Sequence, residues 1–245
     1  MARPAVRLTD GDDIFLGGVR GERILALAGD DVLLGGRGDD MLFAGAGDDI
    51  AFGGIGAGTL AGGPGDDRLF GGAGDDTIFD YADDGADLLR GGTGDDRIYG
   101  GRGDTILGGA GDDVLAVEGG VCSGGAGHDE LEILTDGEYA GDRFLAWNYA
   151  TTFAGFEAGK DRLYIQLWKP NPGGGYISTG SDETFTMLDS NHDRRIDGRD
   201  DGVDVAGRTM TIDFVAAVRS LDWREGEHRL TLEGATALTL ADFVL

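Results

Sequence analysis

The chain has one cysteine, Cys122, so it can form no intramolecular disulfide. Its three histidines, His128, His192 and His228, are scattered and offer no zinc-ligand spacing. There is no His-Glu-x-x-His helix signature and no Gly-x-Ser-x-Gly elbow, which removes the commonest hydrolytic frameworks. No apolar run approaches the length of a membrane-spanning helix, and the opening MARPAVRLTD lacks the apolar segment of a cleaved secretory leader. Basic residues are few: 20 against 46 acidic ones, for a net charge of −26. That balance disfavours nucleic acid as a partner.

Glycine and aspartate are abundant, and they are periodic. From about Leu8 to Glu132 a nine-residue unit recurs, clearest in Gly35–Phe43, Gly62–Phe70, Gly71–Phe79 and Gly91–Tyr99. Glycine occupies positions 1, 2 and 4, aspartate position 6 and an apolar residue position 8. About a dozen tandem copies of such a unit read as a parallel β-solenoid. Glycine accepts positive φ, so the GGxGxD half can curl tightly and turn backbone carbonyls inward. The position-6 carboxylate adds a hard, charged oxygen. Carbonyl and carboxylate oxygens in one loop suit Ca²⁺ rather than Zn²⁺ or copper. The other half is a short strand whose position-8 side chain faces inward: Phe15, Leu33, Leu42, Ala51, Leu69, Ile78, Leu89, Ile98, Ile106 and Leu115.

These units resemble the RTX (repeat-in-toxin) family of hemolysin-type calcium-binding nonapeptide repeats. The resemblance implies a right-handed parallel β-roll whose successive repeats turn on alternate sides, each Ca²⁺ sitting between repeats n and n+2. Carried onto this chain, one side is Asp13, Asp31, Asp49, Asp67, Asp87 and Asp104; the other is Asp40, Asp76, Asp96, Asp113 and Asp129. Weak or empty sites are expected where Arg23 and Gly58 fall at the aspartate position. Register slips at Asp80–Arg90, two residues too long, and at Gly100–Leu107, one short; Val117–Ser123 is barely a repeat. About eight ions are expected, one per facing pair of turns. Many acidic residues stand as Asp-Asp pairs that repel without a counter-ion, so metal should decide between coil and roll.

After Glu132 the glycine rhythm stops. The expectation is an all-β chain in two parts: a roll over 1–132, and a β-rich C-terminal cap over 133–245. Strands are expected at Phe144–Tyr149, Arg162–Trp168, Thr209–Phe214 and Arg229–Leu232, and a loop at Lys169–Tyr176. The segment Gly155–Ile165 resembles the stretch that often follows RTX arrays. Asp189, Asn191, Asp193, Asp197 and Asp200 stand at positions 1, 3, 5, 9 and 12 of a loop resembling an EF-hand or dockerin calcium site. Arg194 replaces its glycine and Asp200 its glutamate.

The resemblance also implies export from a Gram-negative bacterium by a type I exporter that reads an uncleaved C-terminal signal. Asp242 followed by Phe243, Val244 and Leu245 resembles such a signal. RTX arrays accompany enzymes, toxins and adhesins, so the fold names no activity. With no catalytic constellation in view, the expectation is a secreted or cell-surface, non-catalytic calcium-binding protein. Its outward positions 7 and 9 are unusually apolar on one sheet (Ile14/Leu16, Val32/Leu34, Ile50/Phe52), which points to self-association or a surface partner. The alternative is an accessory module of a carbohydrate-active or hydrolytic system that grips an anionic polymer.

Overall fold

The computed structural model describes residues 5–80, 85–133, 139–140, 143–144, 151–165, 168–170, 176–178, 195–200, 203–213, 229–235, 238 and 242. The chain divides into two units. One comprises Met1–Ala116 and Val121–Asp129, the other Val117–Gly120 and Glu130–Leu245.

The first unit is a solenoid of parallel strands. In one sheet Ile14–Leu16, Val32–Arg37, Ile50–Ile55, Arg68–Ala73, Leu88–Thr93 and Arg97–Ala110 pair in succession. In the other, Val6–Arg7, Arg23–Ala28, Met41–Ala46, Thr59–Ala61, Thr77–Phe79 and Arg97–Ala110 do the same. Alternate repeats therefore feed opposite sheets. Position 8 lies in register throughout: Phe15, Leu33, Ala51, Leu69, Leu89 and Ile106 stack in one ladder, and Ile24, Leu42, Leu60, Ile78 and Ile98 in the other. All but Phe15 are buried. Phe15 stands on the first rung of its ladder and is half-buried.

The two irregular repeats do not break this stack. Leu69 pairs with Leu89 across the long repeat, and Leu89 with Ile106 across the short one. The long repeat's extra residues fall between the strands Thr77–Phe79 and Leu88–Thr93, whereas the short repeat lies inside the continuous strand Arg97–Ala110. In both, position 8 stays inward, since a one-residue slip would turn the apolar side chains out.

The strands also run further than the position 7–9 triplet. Val32–Arg37 continues through Gly35 and Gly36, and Gly36, Gly54, Gly72, Gly92 and Gly109 pair in a line of their own. Gly72 shows what this requires: its φ is +117°, and an added Cβ would run into the Gly54 carbonyl oxygen. Glycine is needed there both for its backbone angle and for the closeness of the turn below.

In the second unit Glu130–Ile133 pairs in parallel with Arg162–Ile165, and Thr151–Ala154 with Arg229–Glu233. Val203–Ala206, Thr209–Asp213 and Arg229–Glu233 then form antiparallel pairs. Phe153 and Phe156 meet edge to face at 5.6 Å, and Leu163, Met210, Ile212, Leu230 and Leu232 are buried. At the two ends of the expected loop Lys169–Tyr176, Lys169 pairs with Ile177 and Pro170 with Tyr176 in antiparallel register; residues 171–175 lie outside the described residues.

Candidate calcium-binding turns

Asp40, Asp67, Asp76, Asp96, Asp113 and Asp129 follow GGxG turns, and Asp13, Asp31, Asp49 and Asp87 follow looser glycine turns. The solenoid nevertheless stacks them all directly above one another. Their Oδ1 atoms form a continuous ladder. Asp13 N–H donates to Asp31 Oδ1 (2.7 Å), Asp31 to Asp49 (2.7 Å), Asp49 to Asp67 (2.8 Å), Asp67 to Asp87 (2.7 Å) and Asp87 to Asp104 (3.1 Å). On the other side Gly58 N–H donates to Asp76 (2.6 Å), Asp76 to Asp96 (2.8 Å), Asp96 to Asp113 (2.9 Å) and Asp113 to Asp129 (3.1 Å).

The second carboxylate oxygen is what makes these turns chemically unusual. Oδ2 of Asp31, Asp40, Asp49, Asp67, Asp76, Asp96 and Asp113 is buried and accepts no hydrogen bond. An unsatisfied buried acceptor costs about 1–3 kcal/mol, and more when charged, so a row of them marks the place of a cation. A side chain on Gly35 would sit 2.5 Å from Asp40 Oδ2 and 2.6 Å from the Gly53 carbonyl oxygen. Glycine thus keeps a carboxylate and a carbonyl oxygen open to one shared space. The donor set is all oxygen, which is what Ca²⁺ requires.

Electrostatics agree. Burial raises the carboxyls of Asp49, Asp76 and Asp96 to about 6 and that of Asp113 to about 7. The backbone hydrogen bond each accepts opposes the rise, and adjacent aspartates add to it. Asp31, Asp40, Asp67 and Asp104 are raised too, chiefly by burial.

Two expected ligands are placed differently. Asp13, at the start of its ladder, accepts from Thr9 N–H (2.8 Å) and Thr9 Oγ1 (2.7 Å) through Oδ2, and these bonds lower its pKa. Asp104, in the short repeat, accepts from Gly101 N–H through Oδ2 (2.7 Å) as well as from Asp87 through Oδ1. The missing residue brings that amide within reach.

One expected gap must be corrected. Arg23 pairs with Met41, at position 7, so the residue level with Asp40 is Glu22, whose N–H donates to Asp40 Oδ1 (2.7 Å). A carboxylate occupies this rung after all. Gly58 is the true interruption.

The first aspartate of each pair has a role that periodicity did not disclose. Asp12 Oδ1 accepts from Asp30 N–H, Asp30 from Asp48, Asp48 from Asp66 and Asp66 from Ala86, each at 3.0 Å. Asp39, Asp75, Asp95 and Asp112 serve Ala57, Asp95, Asp112 and His128 likewise. These exposed residues tie each turn to the next, running opposite in sense to the buried ladder. The cue was the regular DD doublet.

Of the EF-hand-like loop, Asp189, Asn191 and Asp193 lie outside the described residues. Asp197 is engaged by Arg199, whose Nε and Nη2 donate to Oδ1 (2.9 Å) and Oδ2 (2.7 Å). This pairing holds its carboxyl at about 2. Asp200 Oδ2 accepts from Asp197 N–H (2.9 Å). Cys122 is buried, and burial pushes its thiol well above the usual range. Asp242 is buried and accepts from Gly159 N–H; residues 243–245 lie outside the described set.

The family model of the RTX calcium-binding nonapeptide repeat matches the chain in four copies, at residues 16–51, 25–60, 52–79 and 81–115. The solenoid is an RTX calcium-binding repeat array. RTX calcium-binding repeats imply multiple Ca²⁺ ions, and the aspartate-rich turns of this solenoid could hold them. No curated protein matches the chain. Among solved structures, the AlgE6R3 subunit of the mannuronan C5-epimerase from Azotobacter vinelandii is similar at 18% identity, over 99% of this chain and 86% of that one. The TM-score is 0.23, a slight likeness that says nothing of activity.

Proposed function

We propose that this is a secreted calcium-folded RTX protein with a non-catalytic role, as a surface-structural or interaction element outside a Gram-negative cell. The observation that carries the calcium part is the row of buried, unaccepted Oδ2 atoms at the position-6 aspartates. On this reading the position-6 aspartates and the inward carbonyls hold Ca²⁺. The ion neutralises charges that the fold has already removed from water. The position-5 aspartates only join the turns.

The interaction part is supported by the outer face of the first sheet. Leu16, Leu34 and Phe52 stand in one column and are 72%, 37% and 40% exposed, and Ile14, 75% exposed, heads the neighbouring column of Val32 and Ile50. A contiguous apolar column of this kind favours contact with another copy or a surface partner. Sedimentation in millimolar calcium tests it: self-association that Leu34→Ser and Phe52→Ser abolish is expected. A concentration-independent monomer that binds no cell surface overturns it. Secretion is tested by co-expressing a type I exporter and assaying the medium; export that depends on the exporter is expected, and retention inside the cell overturns it.

A second reading has one observation in its favour. Phe52 and Phe70 stack at 4.8 Å and 10°, and with Arg90 and Thr93 they line a groove. A flat aromatic platform beside a guanidinium is suited to an anionic polysaccharide. Binding of uronate oligomers that Phe70→Ala and Arg90→Ala eliminate would favour this accessory-module role over self-assembly.

A further inference from the structure

One buried carboxylate of the solenoid does not belong to the repeat pattern. Phe79 pairs with Ala61 below and Tyr99 above, so Asp80 stands level with Gly62 and Gly100, at repeat position 1. Its N–H donates to the Tyr99 carbonyl (2.9 Å), which keeps it in the strand ladder. Its side chain is turned inward and is 1% exposed. Carboxylate oxygens of Asp67, Asp80 and Asp87 all come within 4.8 Å of one another, and all three residues are buried. Independently, Asp67 Oδ2 accepts no hydrogen bond. It is aimed at this same place, since a side chain on Gly62 would strike both Asp67 Oδ2 and Asp80 Oδ2.

We propose that Asp67, Asp80 and Asp87 form a three-carboxylate Ca²⁺ site that is the tightest in the array and the first to load. The inference rests on the calcium reading of the turns and adds to it a ligand the nonapeptide does not supply. Calcium affinity in oxygen sites rises with the number of charged ligands. Here position 1 contributes a full negative charge, where its neighbours Gly62 and Gly100 contribute only a backbone. Three buried carboxylates without a cation repel strongly, and the charge of Asp80 accordingly adds to the rise at Asp67. An ion held there fixes two consecutive turns in the interior of the array. In a solenoid, where each turn contacts mainly its neighbours, ordering then spreads from that point.

The test is calcium uptake by the full chain in competition with a chromophoric chelator, for wild type, Asp80→Asn and Asp49→Asn. Asparagine keeps an oxygen for the Gly63 N–H that Asp80 Oδ2 faces at 3.4 Å, and loses only the charge. Wild type is expected to show a first step at least tenfold tighter than the rest. Asp80→Asn should lose that step and still reach the full β-spectrum in saturating calcium. Asp49→Asn should keep the first step and weaken later ones. Should Asp80→Asn fail to fold, Asp80→Gly restores the residue of the regular repeat and should give the same loss. A first step unchanged in the folded position-80 variant, or its absence from wild type, overturns the proposal. No calcium uptake by wild type at all would instead overturn the calcium reading itself.

Discussion

Protons should substitute for calcium in this array, and the structure gives the size of the effect. In the folded chain burial raises Asp49, Asp76 and Asp96 to about 6 and Asp113 to about 7, from an ordinary value near 4. The folded form therefore binds more protons than the coil between those limits. Stability from these groups is complete below pH ~4 and is lost as pH rises through 6 to 7. Going from pH 8 to pH 5, each group at about 6 contributes roughly 1.4 kcal/mol and Asp113 roughly twice that. Discounted for their mutual coupling, the four stabilise the metal-free roll by on the order of 5 kcal/mol. Calcium at ten times its dissociation constant supplies ~1.4 kcal/mol per site, so this acid shift equals three or four filled sites. The assay is far-UV circular dichroism in excess chelator, titrated from pH 8 to pH 4.5. A coil-to-β transition centred between pH 5 and 7 is expected, accompanied by a fall in calcium affinity over the same range. A chain that stays coil throughout, or whose calcium affinity is unchanged by acid, would refute the placement of these carboxylates in a desolvated stack.

The two aspartates of one turn should behave oppositely. Asp76→Ala removes a buried oxygen and should lower calcium stoichiometry, whereas Asp75→Ala only frees the Asp95 amide (3.0 Å) to water and should cost about 0.5–1.5 kcal/mol with stoichiometry intact; equilibrium dialysis and thermal melts separate them. Leu69→Ala, at a fully buried rung between Ala51 and Leu89, should cost about 2–5 kcal/mol and raise the calcium midpoint for folding. Gly72→Ala should raise that midpoint further, since its Cβ has no room above Gly54; a wild-type midpoint would show that the turns can separate.

The strand ladders were legible because position 8 of the repeat is apolar in nearly every copy, and parallel stacking needs nothing else to set its register. The irregular repeats were visible as irregular, but not their outcome: Leu69, Leu89 and Ile106 stay aligned because burial of all three outweighs the cost of reshaping a turn. The count puts Arg23 at the aspartate position, one residue too far, because Arg20 stands where the repeat has its third glycine. Counting six from the Gly17-Gly18 doublet reaches Glu22, and the Arg23–Met41 register and the bond to Asp40 agree. The opposed ladder of position-5 aspartates depends on contacts between turns 16 to 20 residues apart, which composition does not encode. Asp80 escaped notice for a related reason. It sits where the repeat is broken, and its meaning lies in Asp67 and Asp87 rather than in its sequence neighbours. Asp197 read as a loop ligand from spacing alone, and the structure gives it to Arg199.

The most direct test is the secondary structure of the purified chain at pH 7.5, in excess chelator and then in millimolar calcium. Conversion from coil to β-structure on adding calcium, reversed by chelator, is the predicted result. An identical β-spectrum in both conditions would mean that the stacked carboxylates tolerate one another without a cation, and would contradict the account.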